Sequence, residues 1–415
     1  IRSEDLDGDG VIRMMRIPTP YGAWKKDKDD SSIMAKRDPG DADGEFYDIY
    51  AEGNFEAFDG DENLKEKKED WSLDFNRNYP YGWFPENRQA GAGKYPLSNP
   101  ETKAMADWII EHPNIGGVST NHTSGYPPGT RPSTAVSEKD INQFIEIANM
   151  GKEELGYEPL NIYDSFISDP ANYDSGAFDD WCYQSQGIVA YTVELWDLAK
   201  RVGVPLVWNA RNKESAQDEL KRFVACMKWV KENAPEYYED WKPFHHETFG
   251  DVEIGGFNFK FSQQNPPESF LNGVLEQMTR FMIRFAQSMP RLTIDTLTSE
   301  KVSDDIYKVT AVVGNLGYLP TNLTEEAKKL NISKEVEVTI SGGKVVSGLE
   351  KTKIGNLEGY GSTSTGTNFY GNISTDYNAK ARKKLTWVVQ AKSGVEITVS
   401  CAQEKSGKAS KTITL

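Results

Sequence analysis

The sequence predicts an α/β domain followed by an all-β domain. Between Ser98 and Pro290, apolar strands alternate with amphipathic helices, which is typical of α/β proteins. After Pro290, apolar residues recur at every second position in short stretches, and Gly-, Ser- and Asn-rich turns separate these stretches. We therefore predict an α/β domain over residues 1–290 and a β-sandwich over 291–415.

Elements of the first domain follow from start signals, apolar spacing and stop signals. Residues 1–95 are rich in Asp, Gly, Pro and Lys, so long loops with short strands are expected. Polar residues before Pro100 predict a helix that ends at His112, and strands are predicted over 115–120 and 187–195. A further helix is predicted over 137–155. Apolar residues at helical spacing predict two more helices, one marked by Leu220, Phe223, Met227 and Val230, the other by Leu271, Leu275, Met278, Phe281 and Phe285.

Composition excludes several classes of function. The chain has 415 residues and a net charge of −16, which disfavours binding to nucleic acid or to an anionic membrane. No window approaches the ~18 continuous apolar residues of a membrane span. The three cysteines, at 182, 226 and 401, are far apart and form no Cys-x-x-Cys pair, so we expect free or buried thiols.

Two polar segments are candidates for binding. Asn76-Arg77 places an amide beside a planar guanidinium, a fork that binds a carboxylate through parallel hydrogen bonds. The alternative is an arginine paired with a local aspartate. His122 follows a predicted strand, where a histidine can point into a cleft and bind a metal ion. The alternative is a hydrogen-bonded loop histidine.

Two further segments suggest catalysis. Glu194 lies in an otherwise apolar strand, and burial would raise its pKa towards that of a general base. The alternative is that the strand ends there and Glu194 is solvated. Tyr173 is followed by Gly176 on a predicted loop, from which a tyrosine could close over a substrate, although a surface tyrosine is the alternative.

These four segments together resemble the zinc carboxypeptidase family. The matching stretches, in the family's order and at comparable spacing, are DFNRNYPYGW, NHTSG and YTVELWD. The stretches EDLDGDGVIRMMRIP, YPLSNPETKAMADWIIEHPNI and VEIGGF resemble a bacterial branch with an Asp-Gly-rich insertion and a C-terminal β-domain. The resemblance covers about residues 1 to 290 and implies that the α/β domain has a mixed sheet.

The resemblance implies a role for each residue. His122 would be a zinc ligand, and Glu194 would be the general base and then the general acid. Asn76 and Arg77 would bind the terminal carboxylate of a peptide, and Tyr173 would cover the substrate. A secreted metallocarboxypeptidase, periplasmic or extracellular, is therefore expected, with peptide or protein C-termini as partners.

The sequence departs from the family at the other zinc ligands. The family carries a His-x-x-Glu upstream, whereas no histidine precedes His112 and His245-His246-Glu247 has the wrong spacing and position. Arg2, Arg13 and Arg16 are poor substitutes for the upstream carbonyl-polarising arginine. The zinc-carboxypeptidase-like domain is thus expected to be N-terminally incomplete and inactive by itself. Three explanations stay open: a segment outside this sequence, a cleaved fragment that remains bound, or a pseudoenzyme with a binding or extracellular structural role. The start just before EDLDGDG favours truncation or processing over natural loss.

Two additional sites are predicted. Asp5, Asp7 and Asp9 alternate with turn-forming residues and form a candidate Ca²⁺ loop, although Arg16 stands where an EF-hand needs glutamate. A solvated acidic turn is the alternative. Asp179 aligns with the base of the family's specificity pocket, where an acid would favour a C-terminal Lys or Arg, and a solvent-facing loop acid is the alternative.

The sequence also contains weaker signals for glycosylation and for carbohydrate binding. Asn-x-Ser/Thr sequons occur at four positions, Asn121, Asn322, Asn331 and Asn372. A carbohydrate-binding protein is a third candidate function. It rests only on the β-domain and the aromatic content.

Overall fold

The structure is a computed structural model. The residues that it describes are 2–55, 73–123, 136–160, 174–205, 216–363, 365–367, 371, 373–375 and 379–415. The strands are β1 (Arg2–Ser3), β2 (Met14–Pro18), β3 (Trp24–Lys26), β4 (Met34–Lys36), β5 (Tyr47–Ala51), β6 (Gly53–Asn54), β7 (Gly117–Thr123), β8 (Val189–Leu195), β9 (Tyr238–His246), β10 (Gly250–Phe257), β11 (Leu292–Ser303), β12 (Ile306–Asn315), β13 (Glu337–Ser341), β14 (Lys344–Ser347), β15 (Lys351–Lys353), β16 (Thr365–Thr367), β17 (Ile373–Thr375), β18 (Arg382–Gln390), β19 (Glu396–Gln403) and β20 (Gly407–Thr414). The helices are α1 (Pro100–Glu111), α2 (Glu138–Leu155), α3 (Phe178–Gln186), α4 (Leu198–Arg201), α5 (Ala216–Asn233), α6 (Glu268–Gln287) and α7 (Glu325–Lys329).

A parallel strand pair lies at the centre of the first domain. Strands β7 and β8 pair in register from Gly117 opposite Val189 to His122 opposite Glu194. Helices α2 and α6 cover one face, where Ile147 and Phe281 contact the side chains of β8. Helices α1 and α3 cover the other face with a second apolar cluster. Parallel strands are normally buried on both faces, and β8 follows that rule over its first five residues, whereas β7 is half-buried.

Local signals explain where these helices begin and end. Pro100 occupies the first turn of α1, where its missing N–H costs nothing, and His112 ends the helix. Helix α2 begins after Ser137, whose side chain accepts a hydrogen bond from the backbone of Asp140, and ends at Gly156 in the left-handed conformation. The sequence predictions for these two helices are confirmed.

A second sheet, which is antiparallel, joins the two ends of the first domain. Its order is β4-β3-β5-β2-β10-β9, so residues near the start of the chain pair with the hairpin over 238–257. Helix α5 packs on it through the apolar stripe predicted from the sequence, which includes Cys226, Met227 and Val230. The mixed α/β character of the domain is confirmed. Among the described residues, however, the parallel and antiparallel strands form separate sheets.

The C-terminal region is β-rich. Two four-stranded antiparallel sheets, ordered β11-β12-β18-β14 and β15-β13-β19-β20, contribute side chains to one apolar core. That core contains alternate residues of the predicted strands, among them Val309, Val338, Trp387 and Val399. The period-two pattern after Pro290 therefore predicted these strands correctly.

The β-rich region contacts the first domain through the connection between β12 and β13. Leu319 and Leu323 are fully buried in the same cluster as Phe281 and Tyr191. The buried carboxylate of Asp140 accepts hydrogen bonds from the first backbone N–H groups of α7. The two regions thus contribute to one apolar cluster where they meet, and their division at residue 290 stays a prediction.

The structure also bears on the predictions for the cysteines, the sequons and membrane spans. All three cysteines are free and buried, as expected. Of the sequons, Asn121 and Asn331 are exposed, Asn322 is fully buried, and Asn372 lies outside the described residues. Among the helices described here, none combines the length and apolar character needed to cross a bilayer.

Candidate functional site

His122 and Glu194 lie side by side because their strands are parallel and in register. Side chains alternate along a strand, so both project from the face that α1 and α3 cover. The distance from His122 Nδ1 to Glu194 Oε1 is 3.9 Å. Both residues lie at the carboxyl ends of parallel strands, where α/β proteins commonly bind ligands.

Glu194 has the electrostatics of a functional carboxyl group. Burial raises its pKa to about 8; the charge of Asp179 acts in the same direction and that of Arg77 opposes it. Its Oε2 atom is buried and has no hydrogen-bond partner in the described part of the chain. Strand β8 continues through Glu194, so the alternative of a solvated residue beyond the strand end is wrong. A buried acid without a partner is costly unless it has a function.

His122 is available for binding. Its side chain is 34% exposed, and neither ring nitrogen has a hydrogen bond to a described residue. Burial lowers its pKa, the charge of Arg77 acts in the same direction, and the charges of Asp179 and Asp74 oppose both. The neutral imidazole is thus favoured, which is the form that binds a metal ion or accepts a proton. The alternative of a hydrogen-bonded loop histidine is not supported, because His122 lies in β7.

Asp179 lies at the base of the same site. It is 5% exposed at the start of α3, so the alternative of a solvent-facing loop acid is wrong. Burial raises its pKa, while hydrogen bonds from the Thr192 hydroxyl and from backbone N–H groups at the helix start oppose that shift. Thr192 Oγ1 lies 3.0 Å from Thr120 Oγ1 of the neighbouring strand. The sequence analysis missed these threonines. Their only signal is that Thr120 precedes His122, and Thr192 precedes Glu194, by two residues, which places each pair on the same face of its strand.

Asn76 and Arg77 lie on a 3₁₀ turn over Phe75–Arg77 that Asp74 caps. The Asn76 side-chain oxygen accepts a hydrogen bond of 2.8 Å from the backbone of Phe178, which connects this turn to α3. Arg77 Nη2 lies 3.2 Å from Asp174 Oδ1, and Nη1 donates to the Asn76 carbonyl oxygen. The alternative expected for Arg77, pairing with a local aspartate, is therefore realised, and Asp174 is a site residue that the sequence did not reveal.

The described residues do not form a zinc site by themselves. Zinc sites in enzymes normally use three protein ligands, and His122 would supply only one of them. In the described ranges, the group of three or more acids, histidines or cysteines that could share a metal ion is Asp5, Asp7 and Glu52, which is elsewhere in the molecule. His246 is buried, and both of its ring nitrogens are within hydrogen-bond distance of backbone atoms, so its role is structural. Tyr173 lies outside the described residues.

The three acids that lie close enough to share a cation are not the three that the sequence predicted for calcium. Oxygen atoms of Asp5, Asp7 and Glu52 lie within 4.8 Å of one another, whereas Asp9 pairs with Arg13 at 2.9 Å. The fully buried Glu52 carboxylate accepts backbone hydrogen bonds from Leu6, Asp7 and Arg13. Burial raises the pKa of Glu52, and these hydrogen bonds oppose the shift. Glu52 therefore fixes the loop whether or not a cation binds.

Comparison with known families divides the chain into two matched regions. Residues 58–209 match the family described as zinc carboxypeptidase. Residues 291–414 match a domain of unknown function, DUF8731. Asn76, Arg77, His122, Tyr173, Asp179 and Glu194 all lie within the first match, so the site belongs to a carboxypeptidase-like region. No curated protein matches the chain.

Solved structures match parts of the chain. Thrombin activatable fibrinolysis inhibitor (TAFI) is 23% identical over 39% of this chain and 43% of its own length, with a TM-score of 0.26. This chain thus spans less than half of that protein. The archaellum periplasmic stator protein FlaG from Sulfolobus acidocaldarius is 11% identical over 30% of this chain and 100% of its own, with a TM-score of 0.15. A GH3 beta-glucosidase from Bifidobacterium adolescentis is 15% identical over 30% of this chain and 17% of its own, with a TM-score of 0.15.

Proposed function

We propose that this carboxypeptidase-like chain binds the C-terminal end of peptides at the site that contains Arg77, His122, Asp179 and Glu194. The observation that carries the proposal is the convergence of these four side chains. Strand register places His122 beside Glu194, and the charges of Arg77 and Asp179 affect the pKa values of both. A cation, a neutral imidazole, one buried acid and one partly buried acid in one site suit a ligand with both a carboxylate and a basic group.

Arg77 is the group that would recognise the terminal carboxylate. Its planar guanidinium can donate two parallel hydrogen bonds to one carboxylate, which an ammonium group cannot do. Asn76 is the neighbouring amide, and its side-chain oxygen is fixed by Phe178. The amide nitrogen of Asn76 is therefore the group left to face a ligand.

Asp179 would set the preference for the last residue of the peptide. Its carboxylate is buried and held by the Thr192 hydroxyl, so its position does not depend on the ligand. A C-terminal Lys or Arg would place its cation near this acid and offset the cost of burying it. We therefore propose that the site prefers basic C-terminal residues.

Hydrolysis by a metallocarboxypeptidase mechanism needs more than the described residues provide. Zinc in this family would polarise the scissile carbonyl, and His122 would supply one of its ligands. Glu194, with a pKa of about 8, is mostly protonated at neutral pH in the metal-free chain and would be a weak general base there. We therefore propose hydrolysis of C-terminal residues only when a companion segment supplies the other ligands, and Tyr173 stays a candidate substrate contact.

The second candidate function is binding without catalysis. It would apply if no companion segment supplies a His-x-x-Glu, a motif that the four histidines of this sequence do not form. A pseudoenzyme would retain the recognition of peptide C-termini through Arg77 and Asp179 and would have no use for zinc at His122.

One experiment with two steps tests the proposed function. Calorimetry with the metal-free chain would compare an acetylated peptide ending in lysine carboxylate with the same peptide ending in lysine amide. Tighter binding of the carboxylate, lost in Arg77→Lys, supports the proposal, and equal binding of both peptides refutes it. Zinc content and release of free lysine, compared between wild type and His122→Ala, would then decide between enzyme and binding protein.

Calcium and secretion stay predictions. Calcium would bind at Asp5 and Asp7 with Glu52 as the third acid, since Asp9 pairs with Arg13. A rise in melting temperature with calcium that is absent in Asp5→Asn would support this site, and no rise would contradict it. Secretion is consistent with the acidic net charge of −16, and detection of the protein outside the cytoplasm is its direct test.

A further inference from the structure

We propose that Asp174 is an internal competitor for Arg77, which occupies the guanidinium in the absence of a peptide and weakens binding of the terminal carboxylate. This inference rests on the proposed function, because it concerns the same arginine. It starts from the ion pair of 3.2 Å between Arg77 Nη2 and Asp174 Oδ1.

The contact is made at the nitrogen that matters most for binding. A guanidinium holds a carboxylate through two parallel hydrogen bonds along either of two edges, Nε with Nη2 or Nη1 with Nη2. Nη2 belongs to both edges, and Asp174 contacts it. Nη1 already donates 2.9 Å to the Asn76 carbonyl oxygen. A peptide carboxylate therefore has to displace Asp174 or share Nη2 with it.

Asp174 is held in this position by the segment that follows it. The backbone N–H of Ser175 donates 3.1 Å to Gln89 Oε1, and the carbonyl oxygen of Gly176 accepts 2.9 Å from the backbone of Tyr79. Gly176 has φ +69°, and a Cβ there would overlap the carbonyl oxygen of Arg77. The segment after Asp174 is thus packed directly against the backbone of Arg77.

Local charge also opposes an incoming carboxylate. Asp74 Oδ2 lies 3.9 Å from Arg77 Nε, so two acids flank one arginine. Asp74 has a structural task, because it accepts a hydrogen bond from the backbone of Asn76. No such task is visible for the Asp174 side chain in the part of the chain that the structure describes. Its removal would therefore change the charge without removing a turn.

The expected effect is a modest gain in affinity. The ion pair is partly exposed, with 19% of the Arg77 side chain and 27% of the Asp174 side chain accessible. Exposed pairs are weak, and a like charge close to the ligand adds a similar amount. We expect Asp174→Asn to bind a peptide carboxylate roughly 3- to 10-fold more tightly, with no change for the peptide amide.

The test uses calorimetry on the full chain with an acetylated peptide ending in lysine, as carboxylate and as amide. The variants are Asp174→Asn, Asp174→Glu and Asp107→Asn. The last removes an exposed acid of α1 that pairs with Lys103, so it matches the change in net charge. Tighter carboxylate binding in Asp174→Asn alone, with Asp174→Glu close to wild type, supports the inference.

The contrary results separate the two proposals. If the wild type prefers the carboxylate and Asp174→Asn leaves that preference unchanged or weaker, Asp174 is not a competitor and only this inference fails. A weaker preference would mean that Asp174 orients Arg77 for the ligand. If no variant distinguishes carboxylate from amide, the proposed function fails and this inference fails with it.

Discussion

Replacement of Asp179 by asparagine should remove the preference for basic C-terminal residues while leaving the fold intact. The change keeps the shape of the side chain and removes the charge of a residue that is 5% exposed. An ammonium about 4 Å from this carboxylate would gain about 4 kcal/mol at an effective dielectric constant of about 20. Desolvation of the ammonium opposes roughly half of that gain, so the preference should fall by about 2 kcal/mol, or about 30-fold.

The same change should have little effect on stability. Burial raises the pKa of Asp179, so the folded protein already disfavours its charged form. The neutral amide avoids that cost but offers one acceptor oxygen to the Thr192 hydroxyl and the backbone donors at the start of α3. We expect these effects to offset each other within about 1 kcal/mol of unfolding free energy.

Calorimetry with two peptides measures the effect directly. They share one sequence and a free carboxylate and differ only in a last residue of lysine or norleucine, which match in length. Asp107→Asn is the control for net charge. A lysine preference that survives in Asp179→Asn would refute the reasoning, as would a wild-type protein that binds both peptides equally.

Three further changes test other parts of the structure. Asp140→Ala should lower the unfolding free energy by about 3 kcal/mol in a denaturant titration, because buried donors of α7 lose their acceptor, and Asp140→Asn should cost less. Lys231 and other hydrogen-bond donors lower the pKa of Asp30 from its ordinary value of 3.8 to about 2. Ionised Asp30 therefore stabilises the folded state at pH values above 3.8, and this stabilisation is lost as the pH falls towards 2. After allowance for solvent screening, Asp30→Asn should reduce stability by about 1 kcal/mol at pH 6 and by almost nothing at pH 2; an equal loss at both values would contradict the assignment. Gly176→Ala should destabilise the protein by about 2 kcal/mol or more and weaken carboxylate binding, since a Cβ would overlap the Arg77 carbonyl, and unchanged stability would contradict the packing of that segment.

The sequence predicted the helices and strands whose side chains alternate between core and solvent. Strand β8 does not alternate: it was recognised from its continuous apolar run, and five consecutive residues of it are buried. Helix α5 was recognised because Met227 and Val230 recur at helical spacing. Strands β9 and β10 were missed as elements. Strand β9 carries Lys, Asp, Glu and Pro among its aromatic residues and is an edge strand with many exposed positions. It pairs with β10 in a hairpin, whereas the pairing of β10 with β2 joins residues more than 200 positions apart, which local pattern cannot indicate.

The site was predictable in its chemistry but not in its contacts. His122 and Glu194 are close because two strands are parallel and in register, and the order of the strands was predictable from the sequence but their register was not. Asp174 was missed because a loop aspartate carries no signal of the arginine that it contacts. Glu52 was missed for the same reason, since its carboxylate meets Asp5 and Asp7 only after β5 pairs with β2.

The central claim is that Arg77 recognises the terminal carboxylate of a peptide. Its most direct test is a double-mutant cycle of wild type and Arg77→Met against a peptide carboxylate and the corresponding amide, with Arg280→Met on α6 as control. A charge-assisted pair predicts a coupling free energy of about 2 kcal/mol for Arg77 and about zero for Arg280. A coupling for Arg77 no larger than that for Arg280 would contradict the account.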